Sequence, residues 1–245
     1  MALARNYMPR EPGAYSRNMP PPWSSRRLAI PLAAASAAVL VTMTILSMTT
    51  GATQEAHEWY RPPDAYAAGL LVHPGALRAV LGLDVGFLVL YTAFFAALAD
   101  HLARLGRPFA YLALAALLGT SVLDIVENHH ILSMLAVAES GRAIDDGAIV
   151  FQQTLSSTKF TLSYIGLVLF GLAVPRDTKL GIVLAIFLVA GTLITGVLGF
   201  ATPHAVREQV GNGRWVGFVL GFLLAGAWLR ASPDPVPAAP SSRTS

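Results

Sequence analysis

The feature that most constrains this chain is a series of six apolar blocks, each close to the length that crosses a lipid bilayer. The blocks cover about residues 28–48, 77–99, 109–136, 148–174, 179–200 and 214–230. A helix needs about 20 apolar residues to cross a hydrocarbon core about 30 Å thick. The sequence therefore predicts an all-α fold: a polytopic membrane protein with a six-transmembrane-helix bundle.

Composition agrees with this fold class. Charged residues make up 13% of the 245, whereas a soluble domain carries about a quarter. We expect a disordered basic N-terminal tail at 1–26, a six-helix transmembrane domain at 27–230, and a disordered Pro- and Ser-rich C-terminal tail at 231–245. Residues 25–28 (Ser-Arg-Arg-Leu) also resemble a twin-arginine export signal, but the block after them is long for a cleaved leader.

The distribution of Lys and Arg predicts the orientation, because cytoplasmic loops carry an excess of these residues. The side of both termini holds 11 of them: Arg5, Arg10, Arg17, Arg26, Arg27, Arg104, Arg107, Arg176, Lys179, Arg230 and Arg243. The other side holds 5: Arg61, Arg78, Arg142, Arg207 and Arg214. We therefore expect a multi-pass protein of the cell membrane with both termini in the cytoplasm.

Charged side chains inside a span cost at least about 2.5 kcal/mol each on insertion scales, so each one needs a reason. The cores of the second, third and fourth spans carry all of them, and their polar residues define the candidate site. The predicted site residues are Asp84, Tyr91, Asp124, Glu127, Asn128, His130, Gln152, Ser156 and Lys159. Helical spacing gives the members on each span a shared face, with His130 at the edge beside Glu127. The chain direction places all three groups in one layer beneath the outer face.

This predicted layer contains more acids than bases. Asp84, Asp124 and Glu127 face a single base, Lys159. Three carboxylates cannot all be ionised at little cost in a low dielectric, so we expect a bound proton or a balancing cation. His130 could also share a proton with Glu127. The alternative is a buried polar network that only fixes the helix register.

The predicted outer loop, residues 51–77, lies on the same side as this layer. It holds His57, Glu58, Trp59, Tyr60 and His73. Its aromatic residues are typical of interfacial anchors, and its position fits a lid over the site equally well.

Asp84 with Tyr91, the motif Asp124-x-x-Glu127-Asn128 and a polar helix with Lys159 together resemble uncharacterised bacterial multi-pass membrane proteins. The resemblance covers about residues 80–165. It implies a membrane location and brings no known activity. The last span has no Lys, which argues against a retinal protein, and the zinc-protease motif HExxH is absent.

Three functions follow from these residues. The first is binding or transport of a small polar ligand, a cation or protons. The second is an intramembrane enzyme acting on a lipid-like substrate, with Asp124, Glu127 and His130 as metal ligands, or with Ser156 and Lys159 as nucleophile and base. The third is a non-catalytic subunit of a membrane complex.

Two further predictions concern partners. Gly217, Gly221 and Ala225 form a small-xxx-small pattern in the sixth span, which predicts close helix packing within the chain or in a homo-oligomer. The basic residues form no face with interleaved aromatics, so nucleic acid is not an expected partner. With no cysteine, the chain has neither disulfides nor thiolate chemistry.

Overall fold

The computed structural model describes residues 24–201 and 204–232, and of residues 204–212 the backbone alone. The tails predicted at 1–26 and 231–245 lie largely outside the described residues. Of the tail residues that are described, Ser25 and Arg26 belong to the first helix and Ala231 to the last. The helical region therefore begins and ends slightly beyond the predicted bounds.

The described residues form helices joined by short turns. The helices are α1 (Ser25–Thr50), α2 (Pro63–Leu71), α3 (Pro74–Arg104), α4 (Ala110–Glu139), α5 (Asp146–Ala173), α6 (Lys179–Ile186), α7 (Thr192–Ala201) and α8 (His204–Ala231). A short 3-10 helix, Glu55–His57, lies between α1 and α2, and a π-helical segment, Phe187–Gly191, joins α6 to α7.

Six helical segments of the described chain are long and apolar enough to cross a membrane. They are α1, α3, α4, α5, the combined segment Lys179–Ala201, and Gly213–Ala231 of α8. The six predicted blocks and the all-helical fold class are thus confirmed. Outward-facing residues such as Val89, Val122 and Val197 are each at least 60% exposed, and apolar surface of this kind suggests a multi-pass membrane protein. The orientation and the choice of membrane stay predictions.

Local sequence signals set the helix ends. Asp145 accepts a hydrogen bond from the backbone N–H of Ala148 and so caps the start of α5. Gly51 ends α1 with a φ of 71°, a left-handed conformation that costs glycine little. The chain can therefore turn sharply after α1 and direct the next residues back toward the bundle.

The helices pack as a bundle with two apolar clusters along its length. α1 packs on α3 and α8, and α4 packs on α5 and α3. We call the end that carries residues 51–62 and 140–145 the loop end, and the end where α1 begins the terminal end. One cluster, including Tyr66, Leu77 and Ile149, lies at the loop end. The larger cluster, including Phe170 and Trp228, extends to the terminal end. The predicted site residues occupy the helix positions between these clusters, except Tyr91, which belongs to the larger cluster.

Candidate functional site

Lys159 is the centre of the polar layer. Its ammonium Nζ lies 2.9 Å from Asp124 Oδ1 and also pairs with Glu127 Oε2. Lys159 is 5% exposed and Glu127 is fully buried. A buried ammonium is stable only when charged or polar partners replace its water shell. Because Lys159 is on α5 and both carboxylates are on α4, these ion pairs hold the two helices together.

Glu127 is bound on several sides. On α5, the spacing of Gln152, Ser156 and Lys159 directs all three toward α4. Gln152 Nε2 donates to Glu127 Oε1 at 3.0 Å, and the Ser156 hydroxyl donates to the same oxygen. His130 Nδ1 lies 2.8 Å from Gln152 Oε1. His130 is therefore linked to Glu127 through Gln152, rather than by the direct proton sharing suggested from the sequence.

Asp84 and Tyr91, both on α3, have separate partners. Asn128 Nδ2 donates to Asp84 Oδ2 at 2.6 Å. The hydroxyl of Tyr91 accepts a hydrogen bond from Ser121 at 2.7 Å. The structure thus brings the predicted residues into one layer, in which Asp84 and Tyr91 bond to neutral groups of α4 instead of to Lys159. All of them are buried except His130, which is half-buried.

The segment between α1 and α2 completes the layer, and the sequence reasoning did not place it there. Gln54 Nε2 lies 3.4 Å from Asp124 Oδ1 and 3.3 Å from Glu127 Oε2. Glu58, four residues later, forms a buried ion pair with Arg214 of α8, with Nη2 and Oε2 2.7 Å apart. The one sequence signal that could have indicated this placement is the spacing of two polar residues, Gln54 and Glu58, four positions apart.

Arg214 corrects a further expectation. The sequence suggested that the sixth span contributes no charge to the bundle interior, and it counted Arg214 among the surface cations. In the structure Arg214 is 8% exposed, and the neighbouring Trp215 donates its indole N–H to Glu55 Oε1. The carboxylate of Glu58 provides the compensation that a buried guanidinium needs.

From the sequence, the outer loop could be a lid over the site or a set of interfacial anchors, and its residues divide between these two interpretations. Gln54, Glu55, His57 and Glu58 are buried. Tyr60 and His73 are exposed, and the Tyr60 hydroxyl donates to Asp146 Oδ1 at 2.9 Å. Residues 54–58 therefore form a plug in the loop end of the bundle, and we use this name below.

Burial also sets the protonation of two plug residues. It lowers the pKa of His57 to about 4, because the imidazolium would lose its water shell. It raises the pKa of Glu55, and the nearby Glu58 carboxylate adds to that shift. His57 is consequently neutral at pH 7, and the Tyr66 hydroxyl donates to its backbone carbonyl at 3.0 Å.

A cavity of about 210 Å³ lies beneath the plug. Its charged and amide lining residues are Gln54, Glu55, Glu58, Asp84, Asp124, Lys159 and Arg214, and hydroxyl groups of Thr120, Ser163, Tyr164, Thr192 and Thr195 also line it. The remaining walls are mainly aromatic and aliphatic, and they include Phe87, Tyr91, Phe94, Phe187 and Phe222. The cavity therefore joins a charged end to an apolar body.

The π-helical segment forms part of this wall. Phe187, Leu188 and Gly191 all line the cavity. A Cβ atom at Gly171 of α5 would lie 2.9 Å from Leu188 Cβ, so only glycine permits this approach of the two backbones. π-segments of this kind are often found at functional sites.

The small residues predicted to pack closely also face the cavity. Gly217, Gly221 and Ala225 line it from α8, and a Cβ at Gly221 would lie 3.4 Å from the ring of Phe187. The within-chain alternative thus has a described geometry. Association of two copies stays a prediction.

The proposed metal ligands do not converge. Among the described residues, no group of three His, Asp or Glu side chains is placed to hold a metal ion. Lys159 pairs with both Asp124 and Glu127, and His130 bonds to Gln152 instead. The proposed Ser156–Lys159 pair is not supported either, because the hydroxyl donates to Glu127 and the ammonium is held by two carboxylates.

Comparisons with protein-family models, with curated proteins and with solved structures gave no match to this chain. The geometry of the layer, the plug and the cavity therefore carries the functional argument by itself.

Proposed function

We propose that this chain is a multi-pass membrane protein that binds a small ligand in the cavity beneath the plug, as part of a binding or transport function. The observation that carries the proposal is the position of the polar layer, which forms one end of a cavity of about 210 Å³. A polar network whose only role was to fix helix register would not need an adjoining empty space. With both termini in the cytoplasm, the charged end would face the outside of the cell membrane.

The charge of the cavity end favours a cation or protons. Four acids that line the cavity, Glu55, Glu58, Asp84 and Asp124, meet two bases, Lys159 and Arg214. Glu127 adds a fifth carboxyl group beside Lys159. Both bases are paired: Lys159 binds two carboxylates and Arg214 binds Glu58. The excess negative charge is costly at this depth, and a positive ligand or bound protons would reduce that cost.

Two glycines of α8 allow a direct test. Gly217 lines the cavity, and a Cβ atom there would meet no other atom within 4 Å. Gly217→Leu therefore has room for its Cβ, and the longer side chain should fill part of the cavity. Gly213→Leu, on an exposed position of the same helix where a Cβ is also free, is the matched control. Both substitutions raise helix propensity equally, so stability effects cancel in the comparison.

The probes are three compounds that share a benzyl group and differ in the charge of the head group: benzyltrimethylammonium, benzyl alcohol and phenylmethanesulfonate. Binding is measured by titration calorimetry of protein in lipid nanodiscs, with empty nanodiscs subtracted. We expect at least one probe to bind wild type and Gly213→Leu saturably, and to bind Gly217→Leu at least tenfold more weakly. The proposal fails if no probe binds saturably, or if the two variants bind alike.

The structural-subunit alternative is favoured by a different observation, the complete pairing of Lys159 and Arg214. Glu127→Gln distinguishes it from a binding site. If Glu127 serves mainly stability, this variant should melt several degrees below wild type at each pH tested, because it disrupts the ion pair. If the charge is held for binding, the melting temperature should stay the same or rise.

The enzyme alternative, acting on a lipid-like substrate, would use the same cavity. Its apolar walls would suit such a substrate, although the described residues assemble neither of the reactive groups suggested from the sequence. Binding therefore remains the function that the geometry supports best.

A further inference from the structure

We infer that the ligand of this cavity is a small amphipathic organic cation whose ammonium group pairs with Asp84. The inference rests on the proposed function and specifies its ligand class. Three observations carry it: the neutral hydrogen-bond partner of Asp84, the aromatic rings on the same helix face, and the full occupation of both cavity bases.

Asp84 is an acid without a cationic partner among the described residues. It is 4% exposed and lines the cavity, and its hydrogen-bond partner is the neutral amide of Asn128. The carbonyl Oδ1 of that amide is buried and has no hydrogen-bond partner in the described structure. Asn128 is not among the residues that line the cavity, so the acceptor within reach of a ligand is the Asp84 carboxylate.

Aromatic rings follow Asp84 along the same face of α3. Phe87 and Tyr91, three and seven residues later, line the cavity with ring centroids 5.0 Å apart. Phe222 of α8 closes this wall, with its ring centroid 5.9 Å from that of Phe87. A carboxylate beside several ring faces is the arrangement that recognises alkylammonium groups, because the negative ring faces attract cations.

The two cavity cations are not available to an anionic ligand. Lys159 and Arg214 pair with carboxylates, and both also lie over the ring of Phe160, at 4.7 Å and 3.8 Å from its centroid. An anion would have to break one of these ion pairs before it could bind.

The walls also favour an organic over an inorganic cation. A hydrated metal ion prefers six or more oxygen ligands, whereas the wall next to Asp84 offers rings and aliphatic carbon. At about 210 Å³ the space is smaller than the 300 Å³ or more typical of drug-sized ligands. A ligand with one ammonium group and a compact apolar body matches both properties.

The three benzyl probes test this ligand class directly. We expect wild type to bind benzyltrimethylammonium at least tenfold more tightly than benzyl alcohol, and phenylmethanesulfonate more weakly than both. Asp84→Asn keeps the size of the side chain and removes its charge, so the preference for the cation should disappear while benzyl alcohol binds as before. Asp64→Asn, the same substitution at an exposed position of α2, should leave the preference unchanged.

A second variant applies if Asp84→Asn fails to fold. Phe87→Leu keeps an apolar side chain but removes the ring face, and it should weaken cation binding several-fold with little change for benzyl alcohol. The inference is overturned if wild type shows no cation preference, or if Asp84→Asn or Phe87→Leu retains the full preference. In those cases, binding of benzyl alcohol that still depends on Gly217 would leave the proposed function standing.

Discussion

Arg214 and Glu58 are separated by 156 residues and form a buried ion pair, with Nη2 and Oε2 2.7 Å apart. This contact joins the plug to α8, which is the last helix of the bundle. The neighbouring residues Glu55 and Trp215 join the same two segments by a second hydrogen bond. The plug is thus fixed to α8, and both segments line the cavity.

Loss of this ion pair should destabilise the protein. Arg214→Met leaves the Glu58 carboxylate buried without a cation, a change that typically costs about 3–5 kcal/mol. Arg78→Met is the control, because Arg78 pairs with Glu139 at the surface at 2.5 Å, with side-chain exposures of 48% and 34%. An exposed pair contributes at most about 1 kcal/mol. Thermal melting in detergent should show a much larger fall for Arg214→Met, and equal shifts would contradict the burial of the pair.

The chain has two lysines, and they should behave in opposite ways. Lys159→Met leaves Asp124 and Glu127 close together without an ammonium, so the variant should be strongly destabilised at pH 8. Lys179→Met, at the exposed start of α6, should melt like wild type. Equal melting temperatures for the two variants would argue against the charge explanation.

His57 should make the plug sensitive to acid. Its pKa is about 4 in the folded protein and about 6.5 in an unfolded chain. Between these two pH values the unfolded state therefore binds more protons than the folded state. The contribution of His57 to the free energy of unfolding is present above pH 6.5 and is lost as pH falls to 4. At about 1.4 kcal/mol per pKa unit, the loss is at most about 3.5 kcal/mol.

The matched pair His57→Phe and His73→Phe isolates that effect. Glu55, with its raised pKa, opposes it by favouring the folded state as pH falls, but both variants keep Glu55. Between pH 7 and pH 4.5, the melting temperature should fall further for wild type and His73→Phe than for His57→Phe. An equal loss in all three proteins would show that His57 is not buried in its neutral form.

The contact between α5 and the π-helical segment can be tested with alanine. Gly171→Ala places a Cβ 2.8 Å from Val189 Cγ2 and 2.9 Å from Leu188 Cβ. Such overpacking costs about 1–3 kcal/mol. Gly86→Ala meets nothing within 4 Å, and it should be neutral or stabilising by up to about 1 kcal/mol through helix propensity. Differential scanning fluorimetry of the two variants should give shifts of opposite sign or clearly different size.

The spans could be predicted from the sequence because apolar blocks of this length leave few alternatives to a membrane helix. The polar layer on α3, α4 and α5 could be predicted because helical spacing fixes which residues share a face. A lid was one of the two interpretations of the outer loop, but the inward direction of Gln54 and Glu58 could not be predicted, because they lie between spans, where no periodicity constrains direction. Glu58 pairs with Arg214, 156 residues later, and local sequence does not indicate a contact of that range. The nine residues of α2 were similarly too few to be recognised as a helix.

The π-helical segment has a consequence for the whole fifth span. A π-turn typically accommodates one more residue than an α-helical turn, and one residue corresponds to about 100° of rotation. Every residue after Gly191 is therefore turned relative to its place in an uninterrupted helix. Thr192 and Thr195 line the cavity from this rotated segment, while Ile194 and Val197 face outward. A single deletion within Phe187–Gly191 would turn the rest of the span by about 100°, so that Thr195 would leave the cavity wall and take the outward-facing place of Ile194.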